Sequence, residues 1–225
     1  GDQSRLEARL LIQKTLGVDL TTLIAKGSDP FPADHQELLN SYIQRRLAHE
    51  PVSKILGERE FYGRLFAVNT DVLDPRADSE ILIEESLKLL KPIHAPKIMD
   101  AGVGSGCLLL TLLAECPKGQ GVALDISDKA LSTTLMNARN LRLEKHLHPM
   151  QGSILSPQVI ADQLKTIDGF EEGLDLLISN PPYIPHGDIQ GLSPEVRLFD
   201  PVLALDGGPD GLDFYRALAI LTPLV

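Results

Sequence analysis

Lys97-Ile98-Met99-Asp100-Ala101-Gly102-Val103-Gly104-Ser105-Gly106-Cys107 is the stretch that decides the fold. Its first five residues read as a short strand, and the apolar run from Cys107 reads as a helix over 107–114. Gly102, Gly104 and Gly106 fall between them, where a backbone without Cβ atoms can turn sharply and approach a ligand closely. The spacing is GxGxG. It is neither the GxGxxG of dinucleotide enzymes nor a phosphate loop, which would end in GK[ST]. That leaves a nucleoside with no pyrophosphate to cradle. Asp125 ends the next strand, 121–125, about 20 residues further on, where a carboxylate can accept both hydroxyls of a ribose. The plainer role for Asp125 is to cap the helix that follows it.

Outward from this loop the chain keeps alternating. A helix is predicted over 129–141, a short strand at 149–151, a helix over 158–165 and a fourth strand over 174–180. Such alternation means a parallel sheet with helices on both faces, an α/β fold. A doubly wound sheet of this kind should have about six or seven strands. Only four candidates precede Val225, so the expectation is a domain incomplete at its C-terminal end.

Upstream the character differs. Leu6, Leu10, Leu11 and Leu16 fall near one helical face, and Leu38, Leu39, Ile43 and Leu47 repeat the pattern. Ser28-Asp29-Pro30-Phe31-Pro32 reads as a loop, with Asp34 placed to cap the next helix and Pro51 to close it. Glu60-Phe61-Tyr62-Gly63-Arg64-Leu65-Phe66-Ala67-Val68 is aromatic and β-prone, with Gly63 at a turn, and a helix follows over 79–90. The organisation predicted is a helical domain at 1–52, a hairpin linker at 53–75 and an α/β domain at 76–225.

Lys and Arg total 21 against 31 Asp and Glu, a formal net charge of -10. Affinity for a phosphate backbone comes from basic groups that neutralise it, so no direct nucleic-acid binding is expected and partners should be small molecules or proteins. No stretch approaches the roughly 20 apolar residues of a membrane span, and the first residues carry no signal-peptide pattern. Cys107 and Cys116 are the only cysteines, without metal-type spacing, so no metal is expected. Two reduced thiols suit a cytoplasmic protein.

Asn180-Pro181-Pro182-Tyr183 follows an apolar strand, at the carboxyl end where open α/β sheets bind ligands. Two prolines stiffen the loop and remove backbone donors. What remains is mostly acceptors, the Asn180 side-chain oxygen and the Pro181 carbonyl, with the flat ring of Tyr183 beside them. Acceptors next to a flat ring suit a planar NH2 group. The plainer role of this tetrapeptide is a rigid turn after a buried strand.

Taken with the motifs above, several stretches make the chain resemble the release-factor glutamine methyltransferases of the HemK/PrmC family. Glu50-Pro51-Val52 and Ile55-Leu56-Gly57-Glu58-Arg59-Glu60-Phe61-Tyr62-Gly63 are similar to that family's entry into its hairpin. Asp100 to Cys107 resembles its cofactor loop, Asn180 to Pro185 its catalytic motif, and Asp200-Pro201 with Gly207-Gly208-Pro209-Asp210-Gly211-Leu212 the stretch after it. The resemblance implies a Rossmann-like methyltransferase domain behind a small helical domain and a β-hairpin linker. It implies S-adenosyl-L-methionine as cofactor, touching Gly102, Val103, Gly104, Ser105 and Gly106, with Asp125 on the ribose, Ile154 against the adenine and Asn180 bordering both ligands. It also implies a class I peptide chain release factor as protein substrate, methylated on the glutamine amide of its GGQ motif. Asn180, Pro181 and Tyr183 would be catalytic, and Pro182 would complete the glutamine site.

An amide nitrogen is a poor nucleophile, and two acceptors gripping its N–H bonds would aim its lone pair and stabilise the charge it gains. The sequence departs from the family at Pro75-Arg76-Ala77-Asp78-Ser79-Glu80, where Pro-Arg-Pro-Glu-Thr-Glu is usual, and at Ser153, where an acidic residue is common. A ribosomal-protein glutamine, or an amino group on a flipped nucleic-acid base, would suit the same motif. A cofactor-binding module without turnover is the alternative from another class.

Overall fold

The computed structural model describes residues 2–25, 27 and 29–225. Gly1 and Ser28, placed by the sequence at the terminus and in a loop, lie outside the described residues. The chain divides into two compact units, 1–57 and 58–225.

The first unit is helical: α1 (Asp2–Leu16), α2 (Leu20–Ala25), α3 (Gln36–Leu47) and α4 (Val52–Leu56). Helix α1 packs on α3 and α4, and Leu11 and Ile55 are buried. A two-pronged Arg46–Glu7 ion pair, 2.8 and 3.2 Å, ties α3 to α1. Little of the predicted apolar stripe is buried in this unit, since Leu6 and Leu47 stay 51% and 68% exposed. Two local expectations change. Asp34 does not cap α3, because Ala33–His35 form a 3-10 turn and the Asp34 carboxylate meets the His35 ring at 3.0 Å instead. Pro51 does not close α3, which already ends at Leu47; it precedes α4, where its missing N–H costs nothing. Helix α4 lies inside the stretch read as linker, and Gly57 ends it at φ 75, a left-handed cap that favours glycine.

The second unit opens with the antiparallel hairpin of β1 (Glu58–Phe61) and β2 (Arg64–Ala67). Tyr62 and Gly63 both take positive φ, 49 and 71, the two-residue turn whose twist matches the flanking strands. The Tyr62 N–H is held by the Glu80 carboxylate at 3.0 Å, and Phe61 and Phe66 pack edge-to-face in the core. Then come α5 (Glu80–Leu90), β3 (Lys97–Ala101), α6 (Cys107–Glu115), β4 (Gln120–Asp125), α7 (Asp128–Asn140), β5 (Leu147–Gln151), α8 (Pro157–Leu164), β6 (Leu176–Ile178), α9 (Pro194–Phe199) and α10 (Asp213–Leu221).

Among the described residues the larger sheet has the order β5-β4-β3-β6, with every pairing parallel. Its central strands β3 and β4 are buried on both faces, as parallel strands are when helices cover both sides, while the edge strand β5 is only partly buried. Ile98 and Ala123 point into a core shared with α5, α6 and α7; Met99, Ala101, Val122 and Leu124 point into a second core shared with α8 and α10. This is a Rossmann-like α/β architecture, as expected. The chain runs outward from β3 through β4 to β5, then returns to β6 on the far side of β3. That reversal opens a crevice at the carboxyl end of β3, the place where such sheets bind ligands. Strand β6 is shorter than the seven residues expected, starting two residues later and leaving the sheet at Ser179.

Candidate active site

The crevice is a cleft of about 410 Å³. Gly102, Gly104 and Gly106 hold φ of 85, 56 and 83, the left-handed region that side chains resist. A Cβ on Gly106 would stand 2.9 Å from both Leu110 Cδ1 and Thr134 Cγ2, so the turn also packs too tightly for any other residue. The loop spends its donors on itself. The N–H groups of Gly102 and Val103 donate to the Leu124 carbonyl at 2.8 and 2.9 Å, that of Gly106 to Val103 at 2.8 Å, and that of Gly104 to the Asp125 carboxylate at 3.0 Å. A phosphate would find few of the amides it needs here. What faces the cleft is bare backbone that a flat or apolar group can approach.

Helix α7 braces the loop from behind. Thr134 Oγ1 donates to the Gly104 carbonyl at 2.9 Å, and the buried Asn137 amide donates to Ser105 at 2.8 Å and to Ala67 at 3.0 Å. Asn137 also accepts the Ala67 N–H at 2.7 Å, so one side chain joins the hairpin to the glycine loop.

Asp125 is positioned from two sides. One carboxylate oxygen accepts from Gly104 and the other from Ser127 N–H at 2.9 Å, which leaves each oxygen a lone pair for a ligand. It is not the cap of α7; Ser127 is, its hydroxyl accepting from Ala130 N–H at 3.3 Å. Asp100, on the floor of the cleft, is 1% exposed, and neither of its oxygens meets a hydrogen-bond partner among the described residues. Burial pushes its carboxyl up to about 7; the Leu109 backbone N–H, close by but short of a full hydrogen bond, works the other way, and the charge of Asp125 adds to the rise. A cation placed beside it would satisfy both oxygens.

At the end of β6, Ser179 donates to the Ala101 carbonyl and fixes the motif against β3. Asn180 faces the cleft, its side-chain N–H donating to Ser79 Oγ at 3.3 Å. Pro182 lines the cleft; Pro181 is buried behind it, and Tyr183 stands 59% exposed outside it. The segment after α9 presses on this motif. The Ile184 N–H donates to the Leu205 carbonyl at 3.0 Å and the Gly207 N–H to the Ile184 carbonyl at 2.9 Å, and a Cβ on Gly207 would stand 2.8 Å from Tyr183 Cα. Arg76 and the buried Asp200 form an ion pair at 2.7 Å at the rim.

Of the residues singled out from the sequence, Gly102, Val103, Gly104, Ser105, Asp125, Ile154, Asn180 and Pro182 come together on one cleft, while Gly106, Pro181 and Tyr183 do not line it. The structure adds Arg76 and Ser79, from the stretch that departs from the family's Pro-Arg-Pro-Glu-Thr-Glu, and Leu203 and Phe214, which lie in no motif, and makes Asp100 part of the floor rather than a flank of the loop. An acidic residue inside an otherwise apolar strand was the available signal for Asp100. Cys107 and Cys116 are free, and desolvation pushes the Cys107 thiol up to about 12, which leaves it inert. No cluster of His, Cys, Asp or Glu suited to a metal occurs among the described residues, and no helix among them is long and apolar enough to cross a membrane.

Comparison with known proteins gives the family. Residues 1–57 match the PrmC N-terminal domain and residues 76–192 the methyltransferase small domain. The release factor glutamine methyltransferase of Caulobacter vibrioides is 40% identical over 218 residues, 97% of this chain and 72% of that protein. The one from Bradyrhizobium diazoefficiens is 42% identical over 220 residues, 96% of this chain and 70% of that protein. In fold alone, the hMettl16 catalytic domain solved with MAT2A 3′UTR hairpin 1 is similar, with a TM-score of 0.56 at 15% identity over 76% of this chain and 60% of that one. With both of its domains matched and these relatives alike over nearly its whole length, the chain belongs to the release factor glutamine methyltransferase family.

Proposed function

We propose that this enzyme transfers a methyl group from S-adenosyl-L-methionine to the side-chain amide nitrogen of a glutamine, that of the GGQ motif in a class I peptide chain release factor, in the cytoplasm. One observation carries the proposal: the Asn180 side chain, the glycine loop and Asp125 line the same cleft. The residues suit the cofactor. A volume of about 410 Å³ falls in the range of small-molecule sites. Asp125 has lone pairs left for ribose hydroxyls, the orphaned Asp100 carboxylate would meet an ammonium group, and the loop has few donors to offer a phosphate. When bound, the cofactor supplies an electrophilic methyl group on a sulfonium.

The chain's own groups bind and align. Gly102, Val103, Gly104 and Ser105 form the cofactor wall, with Gly106 closing the turn behind them, Asp125 holds its ribose, and Ile154 gives an apolar face for the adenine. Asn180 Oδ1 and the Pro181 carbonyl accept the two N–H bonds of the substrate amide, which turns its lone pair toward the methyl carbon and stabilises positive charge as it develops on nitrogen. Pro182 and the Tyr183 ring fix the plane of the amide from the open side. No base has to act before transfer, since the nitrogen sheds its proton afterwards; the main contribution is alignment.

The test is transfer of labelled methyl from S-adenosyl-L-methionine to a release factor, with its GGQ glutamine replaced as control. Label on the wild-type factor and none on the control is expected. Label that survives loss of that glutamine, or that goes instead to a ribosomal protein or a nucleic acid, would falsify the substrate assignment.

A further inference from the structure

Ser79 has no task in the chemistry just described, yet it touches the residue on which that chemistry most depends. Asn180 Nδ2 donates to Ser79 Oγ at 3.3 Å across 101 residues of chain, and both side chains line the cleft. A primary amide carries acceptors at one end and donors at the other, and its last torsion is soft and roughly two-fold. Left to itself, Asn180 would present N–H groups to the substrate amide for part of the time, and donors facing donors repel. A hydroxyl that accepts from Nδ2 ties down the donor end, so Oδ1 must point the opposite way.

The hydroxyl is itself well placed to do this. Ser79 closes a 3-10 turn (Ala77–Ser79) that leads into α5, and its N–H donates to the Arg76 carbonyl at 3.0 Å. The Arg76 guanidinium holds Asp200 at 2.7 Å. The turn is therefore anchored to the chain on the other side of the cleft, and Ser79 Oγ has a fixed position relative to Asn180.

We propose that Ser79 is a positioning residue for methyl transfer: its hydroxyl accepts a side-chain N–H of Asn180 and keeps Asn180 Oδ1 turned toward the substrate amide. The proposal rests on the acceptor role given to Asn180 above. Ser79 touches neither reacting atom, so its effect passes entirely through Asn180.

The experiment is a double-mutant cycle in single turnover on the full-length enzyme, with saturating S-adenosyl-L-methionine and a release factor as substrate. Loss of one neutral hydrogen bond predicts that Ser79→Ala slows transfer roughly 3- to 10-fold. Affinity for S-adenosyl-L-methionine should stay within about twofold. Ser79→Thr keeps the hydroxyl and should restore most of the rate, a rescue that loss of packing would not give. In an Asn180→Ala background, Ser79→Ala should have no further effect. The Asn180 side-chain NH2 resonance, assigned by its absence in Asn180→Ala, should shift in Ser79→Ala and return in Ser79→Thr. Equal losses on both backgrounds, a folded Ser79→Thr that stays slow, or an unmoved NH2 resonance each overturn the proposal while leaving the role of Asn180 intact. Wild-type turnover by Asn180→Ala overturns that role and this proposal with it.

Discussion

Asp125 accepts the backbone N–H of Gly104 at 3.0 Å, so the acidic end of β4 and the middle of the glycine loop form one hydrogen-bonded unit. The carboxylate does two jobs at once: it holds the loop in its left-handed turn and offers its remaining lone pairs to the cleft. Removing it should therefore affect both. Asp125→Ala is expected to weaken S-adenosyl-L-methionine binding by roughly 1–3 kcal/mol through lost charge-assisted hydrogen bonds. Calorimetry would measure this, with melting curves to separate the loss of loop order from the loss of ligand contacts. Tighter binding of NAD than of S-adenosyl-L-methionine by the wild type would overturn the cofactor assignment altogether.

Asn180 should act on rate rather than on cofactor affinity. Its oxygen is one preorganised acceptor, and loss of such a group commonly slows a reaction on the order of 10²–10³-fold, or about 3–4 kcal/mol. Asn180→Ala should show that loss in single turnover. Asn180→Asp keeps an acceptor in place and should retain more activity than Ala. Tyr183 stands 59% exposed at the mouth, so Tyr183→Ala should raise KM for the protein substrate, and Tyr183→Phe, which keeps the flat face, should be milder. If Asn180→Ala merely lowered the melting temperature and left the rate of the folded enzyme unchanged, the residue would be part of a turn and nothing more.

The sheet was legible in the sequence because its central strands, β3 and β4, are buried on both faces. Ile98-Met99 and Val122-Ala123-Leu124 had to be apolar without alternation, and each run ends in the acidic or glycine position that a crevice requires. The asparagine motif was legible for a similar reason, since two prolines after an apolar run admit few conformations. What could not be read is whatever depends on tertiary closure. Ser79 reaches Asn180 over 101 residues, and Arg76 reaches Asp200 over 124. Neither Ser79 nor Arg76 sits in a pattern that local periodicity can detect. Cap geometry was equally hidden: Asp34 and Pro51 have the right residue types for the roles expected of them, but the neighbouring His35 and the early end of α3 decided otherwise.

Asp100 ties stability to pH. Its carboxyl is raised in the folded state to about 7, against 3.8 as the ordinary value, because burial disfavours the anion. Between these two values the folded protein holds a proton that the unfolded chain has released, so stability falls as pH rises through the interval and levels off above it. The stabilisation is thus fully present below about pH 4 and lost above about pH 7, on the order of 2–4 kcal/mol across the window. Asp100→Asn should remove this dependence. The variant is expected to melt higher than the wild type at pH 8 and close to it at pH 4, both without ligand. With the anion gone it should also bind S-adenosyl-L-methionine more weakly, the usual conflict between a stable site and a working one. A variant that melts lower than the wild type at pH 8 would mean that the carboxylate is stabilised by its surroundings after all.

Gly211 shows how the chain beyond α9 supports the substrate side of the cleft. Its φ is 78, and a Cβ there would collide with the Tyr183 carbonyl oxygen, while a Cβ on Gly207 would stand 2.8 Å from Tyr183 Cα. Backbone on both sides leaves no flexible side chain to give way, so Gly211→Ala must either push residues 207–211 outward or displace Tyr183. The left-handed φ adds a strain of roughly 1 kcal/mol for a residue with a Cβ, and the displaced contacts bring the expected loss of stability to about 2–3 kcal/mol. The functional consequence should be selective. Asp125 and the glycine loop lie on the other side of the cleft and are held by α7, so affinity for S-adenosyl-L-methionine should change less than twofold, roughly the scatter expected for uncoupled sites. KM for the release factor should rise several-fold, because Tyr183 and the stiff turn before it have moved. Gly187, which has open space around the position of a Cβ and no positive φ, provides the control: Gly187→Ala should leave both quantities near wild type. Equal damage to cofactor and substrate binding in Gly211→Ala would mean that residues 207–211 brace the whole domain and not Tyr183 in particular.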